Sequence, residues 1–226
     1  MRRNWWKLTT ILLAMILLAI VAGGFALYKA AQHVPEFYRL ALDIDPSSQR
    51  LASDRMLQRA TALAGDVRKD GPWKAVFTAE QINGWLAVEL QKAFPGALPT
   101  TIHDPRVAIE PNQMIVAFRY KDERVDSVVS LTLEIYLTEP NKVALRIRNA
   151  RAGALPLPLE QFIQQIEKAT THLDNWRVEW QQADGDPVAV VTVPEPRDAR
   201  GKLIRVEAIK LSKDELFVAG ATSGKR

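Results

Sequence analysis

Hydrophobic and polar positions alternate in three distinct rhythms along the chain. From Leu8 to Tyr28 there are 21 residues without a charge, dominated by Leu, Ile, Ala and Val. An uncharged helix of that length spans the roughly 30 Å hydrocarbon core of a bilayer, which predicts a transmembrane helix over 8–28. A connector over 29–46, interrupted by Pro35 and Pro46, follows it. The rhythm then becomes helical. Ala52, Met56, Ala60, Leu63 and Val67 recur at steps of four and three, while Arg50, Asp54, Arg55, Arg59 and Arg68 keep largely to other faces. This predicts an amphipathic helix with Ser47 or Ser48 as its cap, stopped by "KDGPW". After a short extended run, "WKAVF", Ile82, Trp85, Leu86, Leu90 and Phe94 return to helical spacing. Thr78, with Gln81 three residues on, is a capping box that makes this switch sharp, and Pro95–Gly96 closes the helix.

From Arg106 to Arg151 the period is two. "VAIE", "QMIVAFRY", "VVSLTLEIYL" and "KVALRIRNA" are strands separated by "PN", "KDER" and "EPN" turns. In the third, Val129, Leu131, Leu133, Ile135 and Leu137 share one side, opposite Ser130, Thr132, Glu134 and Tyr136. Such a meander is apolar on one face and wetted on the other. "AGALPLPLEQFIQQIEKATTHL" predicts a further helix with Leu159, Phe162, Ile163, Ile166 and Leu173 inward. "NWRVEW", "PVAVVTV", "KLIRVEAIKL" and "ELFVAG" predict four more strands. The expected fold class is α+β. An N-terminal transmembrane helix precedes one extracytoplasmic domain over 47–220, in which a long, curved antiparallel sheet packs on two or three helices. A flexible tail is expected over 221–226.

Charge refines the topology. The 226 residues carry a formal net charge of +4, with 30 basic and 26 acidic side chains. Arg2, Arg3, Lys7 and Lys29 all precede the first acidic residue, Glu36, so 30 − 4 = 26 basic residues oppose 26 acidic ones in the remainder. That balance gives no electrostatic footprint for phosphate backbones, and nucleic-acid binding is excluded as a leading function. The basic flank "MRRNWWK" places residues 1–7 in the cytoplasm and the bulk of the chain outside it. Trp5, Trp6 and Tyr28 stand where interfacial aromatics anchor a helix. A cleaved signal peptide is the competing reading, but the apolar run exceeds a usual signal core and "AGG" at 22–24 is a poor cleavage site. The absence of cysteine removes disulfide, thiolate-metal, cysteine-nucleophile and lipoprotein-anchor chemistry.

Candidate chemistry is sparse. His33, His103 and His172 lie in separate elements without metal-ligand spacing. Asp43 and Asp45 read as a solvated turn, and "DGD" at 184–186 reads as a hairpin turn, since Pro187 follows and the terminal glutamate of a calcium loop is missing. No phosphate cradle, nucleophile elbow or catalytic motif is present, so no catalytic residue, cofactor or metal is assigned. The informative features are apolar. Met114, Val116 and Phe118 share one side of a strand, and Trp176, Val178 and Trp180 share one side of another. They are candidates to line a groove for acyl chains, with Gly153, Leu155, Pro156, Leu157 and Pro158 as an irregular loop at its mouth.

The order "VFTAEQINGWL", "IHDPRVAIEPNQMIVAFRY", alternating strands and "AGALPLPLEQFIQQI" resembles the small bacterial membrane-anchored proteins of the YpmS kind. It is similar also to the periplasmic, LmeA-like relatives of tubular lipid-binding (TULIP-like) domains. The matching positions are Thr78, Glu80, Gln81, Asn83 and Leu86, then Gly153, Leu155, Pro156 and Pro158, within roughly 72–220. The resemblance implies a sheet curved around a helix and a hydrophobic groove for lipid or another amphiphile, and it brings no catalytic residues. Two functions follow as expectations. One is a membrane-anchored, extracytoplasmic lipid- or amphiphile-binding protein of the bacterial envelope. The other is a bitopic scaffold with a solid core that binds another envelope protein.

Overall fold

A computed structural model of the chain describes residues 22–96, 98–158, 177–193 and 202–224. The helix expected over 159–173, with Trp176 and His172, lies outside the described residues. Residues 22–31 are helical, and Phe25, Leu27 and Tyr28 are exposed on them. Among the described residues no helix is long and apolar enough to cross a membrane; residues 8–21 of the uncharged run are not among them.

Helix α1 spans Glu36–Leu42 and α2 spans Pro46–Val67. Asp45, rather than Ser47 or Ser48, caps α2: its carboxylate accepts from the N–H groups of both serines. The proline explains the difference. A residue before proline is pushed toward extended backbone, which is the N-cap conformation, and Pro46 occupies the first helical position, where its missing N–H costs nothing. The expected stripe holds, with Ala52 buried, Met56, Ala60, Leu63 and Val67 half-buried, and Arg50, Asp54, Arg55, Arg59 and Arg68 exposed. Strand β1, Gly71–Thr78, runs directly into α3, Ala79–Val88, through the capping box. Gln81 N–H donates to Thr78 Oγ1, and Thr78 N–H donates to Gln81 Oε1, both at 3.2 Å. The helix breaks at Glu89, so Leu90–Ala93 forms a separate single turn, α4. Helices α2 and α3 touch at backbone distance. A Cβ on Gly84 would lie 2.7 Å from the Ala52 Cβ and 2.8 Å from the Gln49 carbonyl.

The meander is β2 (Ile102–Glu110), β3 (Gln113–Lys121), β4 (Asp126–Glu139) and β5 (Lys142–Ala152). It is followed by the two-residue β6 (Leu155–Pro156), β7 (Arg177–Ala183) and β8 (Asp186–Thr192). These build one seven-stranded antiparallel sheet, ordered β2-β3-β4-β5-β8-β7 with β6 beside β5. The single sheet expected from the sequence is in fact two. Strands β9 (Leu203–Ser212) and β10 (Glu215–Ser223) pair with β1 in a three-stranded sheet ordered β1-β10-β9. The turns use Asn or Asp at positive φ, as at Asn112, Asn141, Asp184 and Asp214, because these residues tolerate left-handed backbone.

The tail expected over 221–226 is strand through Ser223. Thr222 is only 2% exposed. Its hydroxyl accepts from Trp73 Nε1 at 3.2 Å and donates to the Val67 carbonyl at 2.7 Å. This ties the end of the described chain to the last turn of α2, which no pattern in "ATSGKR" announces.

Two faces of the large sheet are covered differently. Tyr38 of α1 packs on Ala117 and Val128, and its hydroxyl donates to the Asp104 carbonyl at 3.0 Å. The face expected to be wetted is therefore partly core. On the opposite face Ile109 clusters with Ala79 of α3 and Leu211 of β9, with Met114 and Ile135 packed against them. The α2–α3 crossing gives a paired prediction. Ser53, beside Gly84, is buried, and among the described residues its hydroxyl has no hydrogen-bond partner. Since an unsatisfied buried polar group is costly, Ser53→Ala should stabilise the protein by about 1 kcal/mol. Gly84→Ala should destabilise it by about 1–3 kcal/mol through overpacking. Thermal or urea unfolding of the two variants checks both signs.

Candidate functional site

Strand register decides which apolar side chains share a surface, because directly paired residues point the same way. Met114, Val116 and Phe118 of β3 pair with Leu133, Leu131 and Val129 of β4. Leu133, Ile135 and Leu137 pair with Ile147, Leu145 and Val143 of β5. Leu145 and Val143 pair with Ala189 and Val191 of β8, which in turn pair with Trp180 and Val178 of β7. The two candidate groups, with three strands between them, thus belong to one apolar face running from β3 to β7. Bulges at Thr132/Leu133 and Leu137/Glu139 keep that face in phase across β4 and β5. Met114, Val116, Phe118, Val178 and Trp180 are all half-buried, in contrast to Ile109 at 1% exposure on the same face. Met114 packs against the Ala79–Ile109–Leu211 cluster. Trp176 lies outside the described residues.

The loop expected to be irregular is ordered. Gly153 and Ala154 turn the chain, and β6 pairs back on β5, with Ala152 opposite Leu155 and Arg151 opposite Pro156. The prolines do not prevent this. Leu157 N–H donates to the Ala150 carbonyl at 2.8 Å, and Pro156 occupies an edge position where no donor is needed. Leu155 and Leu157 are half-buried, Pro156 and Pro158 exposed, and Gly153 buried. The Gly153 backbone is left-handed, at φ +58, and a Cβ there would strike the carbonyls of Ala30 and Ala31. Those carbonyls end the helical segment 22–31. Ala154 N–H donates to Ala30 O at 2.8 Å and Ser127 Oγ to Ala31 O at 2.6 Å. The segment read as a mouth is the seat of the N-terminal helix.

Several charged groups away from this face are paired. On the reverse face Arg146 bridges Asp186 at 2.7 Å and Asp184 at 3.2 Å, and Arg148 bridges Asp186 at 2.7 Å and Glu134 at 3.2 Å. "DGD" is thus a hairpin turn whose carboxylates hold arginines. Hydrogen bonding from Arg146 holds the Asp186 carboxyl below the usual range, and bonding from Arg119 does the same for Asp126. Asp45 is lowered by its capping serines. Burial pushes the Tyr38 phenol up to about 12. Burial also lowers Arg106, which is 4% exposed and donates to the carbonyls of Pro105 and Ala41, the latter in the last turn of α1. A cavity of about 320 Å³ lies where the connector meets β3 and β4, lined by Val34, Tyr38, Leu42 and the Arg119–Asp126 pair. Among the described residues no three His, Cys, Asp or Glu side chains are grouped to hold a metal ion.

Two asparagines carry roles that the sequence reading did not assign. Asn83 on α3 accepts from Val107 N–H at 2.7 Å and donates to Val107 O at 2.8 Å. Asn141, in the β4–β5 turn, accepts from Val206 N–H at 2.7 Å and donates to Ile204 O at 3.1 Å. Asn83 was visible only as one position of a family pattern; the Pro140–Asn141 turn signals left-handed backbone but not its reach to β9. Comparison of the chain with protein-family models, with curated proteins and with solved structures finds no match.

The lowered carboxyls fix an acid limb of stability. Their folded-state pKa values lie below the unfolded value of about 3.9, so folding favours the ionised forms. Their contribution is complete above that value and is lost as pH falls through it toward the folded-state values. Denaturation midpoints measured across acid pH should therefore fall, and Asp186→Asn should flatten that fall. An unchanged slope in the variant would show that the Arg146–Asp186 pair contributes nothing.

Proposed function

We propose that this chain is a membrane-anchored, extracytoplasmic protein that binds lipid or another amphiphile on the apolar face of its large sheet, in envelope lipid handling or maintenance. One observation carries the reading: register joins Val116, Phe118, Val178 and Trp180 into a single face, and these four stay half-buried while Val107, Val129, Ile147 and Ala150 on the same face are buried. An acyl chain laid on such a face gains about 0.8 kcal/mol per methylene withdrawn from water. The strand, Thr78-capped helix and meander are the features in which the chain resembles YpmS-like and LmeA-like relatives of TULIP-like domains, and the same reading is drawn from that resemblance. The uncharged run Leu8–Tyr28 and its basic flank give the anchor and its orientation.

A second reading, the bitopic scaffold, is favoured by the seat at Gly153. The proposed mouth is packed against Ala30 and Ala31, which suits a domain built to hold a fixed pose on its anchor. Full chain extracted in mild detergent distinguishes the two by native mass spectrometry before and after delipidation. Under the lipid reading Phe118→Ala and Trp180→Ala lower bound amphiphile while changing stability by about 1 kcal/mol or less. If both side chains are core, each substitution costs about 3–5 kcal/mol and no amphiphile is carried.

Topology is tested separately. A reporter fused after Arg226 should be active only outside the cytoplasm, and the protein should remain in membranes after carbonate washing. A mature chain beginning near Phe25 would refute the anchor.

A further inference from the structure

A groove of about 390 Å³ runs between α2 and β1, away from the apolar sheet face. Arg55, Arg59 and Lys74 converge on it. Arg55 and Arg59 are one helical turn apart, so their Cβ atoms are neighbours on one side of α2 and both guanidiniums reach the same space. Lys74 enters from β1. All three are exposed, and among the described residues none has a carboxylate or hydrogen-bond partner. The one carboxylate that lines it, Asp66, pairs with Lys69 at 2.8 Å. This contrasts with Arg119, Arg146 and Arg148, each of which holds a carboxylate. Ala62, Leu63 and the buried Ala75 give the groove an apolar patch beside Gln58 and Gln81.

We propose that this groove binds the phosphate group of a phosphate ester. Two guanidinium forks and a compact ammonium match an anion with three outward oxygens and up to two charges. A carboxylate offers two oxygens and one charge, which leaves a cation unused. The apolar patch at Ala62, Leu63 and Ala75 accommodates a short carbon skeleton next to the phosphate, and the volume falls within the range of small-ligand sites. The phosphate can come from a soluble ester or from a phospholipid headgroup; the recognition chemistry is the same. The inference does not require the sheet face to hold an acyl chain.

The test uses the full chain in nonionic detergent for sn-glycerol 3-phosphate, followed by calorimetry, and in phosphatidylcholine nanodiscs for co-flotation with vesicles containing phosphatidic acid. Acetate serves as the carboxylate control. Arg55→Gln/Arg59→Gln should weaken phosphate binding by about tenfold or more, and Lys74→Gln by several-fold. Arg50→Gln/Arg68→Gln, which alters exposed arginines outside the groove, should leave it unchanged. Affinity should fall as added salt shortens the Debye length from about 10 Å toward about 3 Å. Capture of the soluble ester supports a soluble source, and capture of the vesicles alone supports the headgroup. The proposal is overturned if neither probe binds, if acetate binds as tightly, if the groove variants bind like wild type, or if the Arg50/Arg68 control loses as much.

Discussion

Two side-chain amides hold the architecture together. Strand β2 is an edge of the seven-stranded sheet and β9 an edge of the three-stranded one. An edge strand presents a row of unpaired N–H and C=O groups, which is costly when buried and promotes aggregation when exposed. Asn83 makes both hydrogen bonds to Val107 on β2, and Asn141 makes the equivalent pair to Ile204 and Val206 on β9. Each amide acts as a one-residue strand. Turn residues complete the seam: Asn112 N–H reaches Leu211 O at 3.1 Å, and Asp214 N–H reaches Ile109 O at 2.9 Å. Strand β9 thus runs across the β2–β3 and β4–β5 turns of the large sheet, while Asn83 bonds the β2 edge to α3.

The seam determines which part of the apolar face is core. Asn83 fixes α3 against β2, and the Gly84 contact with Ala52 fixes α2 against α3. With α3 and β9 held in place, Ala79 and Leu211 close over Ile109 and Met114. In the rows beyond, Val116, Phe118, Leu131, Val178 and Trp180 are half-buried, beside buried Val107, Val129 and Ala150. One sheet face therefore supplies both the surface on which the amphiphile reading rests and part of the interior, the rest lying on the other face around Tyr38 and around Ala144 and Val190.

Local signals in the sequence were sufficient for local structure. The capping box at Thr78, the amphipathic stripe of α2 and the meander turns are all set by residues within a few positions of one another, and each appears as read. What depends on distant partners was not legible. A period of two identifies β9 and β10 as strands but does not say that β10 pairs with β1, so one sheet was expected where there are two. Thr222 looks like part of a polar tail until Trp73 and Val67 are placed beside it. Likewise Leu155 and Pro156 read as an irregular loop because the missing proline donor is visible in sequence, whereas the unneeded donor at an edge position is not. The α2–β1 groove escaped for the same reason: Arg55 and Arg59 read as a solvated helix face, and Lys74 joins them only through tertiary packing.

Helix termini explain the fate of the proposed mouth. The last carbonyls of a helix have no partner within it and need one from outside. For the segment 22–31 the domain provides two: Ala154 N–H takes Ala30 O, and Ser127 Oγ takes Ala31 O. Gly153 makes both possible. Its left-handed backbone turns β5 back into β6, and its bare Cα lets the two carbonyls approach to a distance no side chain would permit. The same small-residue turn that in sequence suggests an opening is thus a C-cap contributed in trans by the domain. Rotation of the N-terminal helix against the sheet breaks these bonds and leaves buried Ser127 without its acceptor. The domain's pose relative to that helix is accordingly part of the fold, set by the same hairpin that closes the β4–β5 end of the sheet.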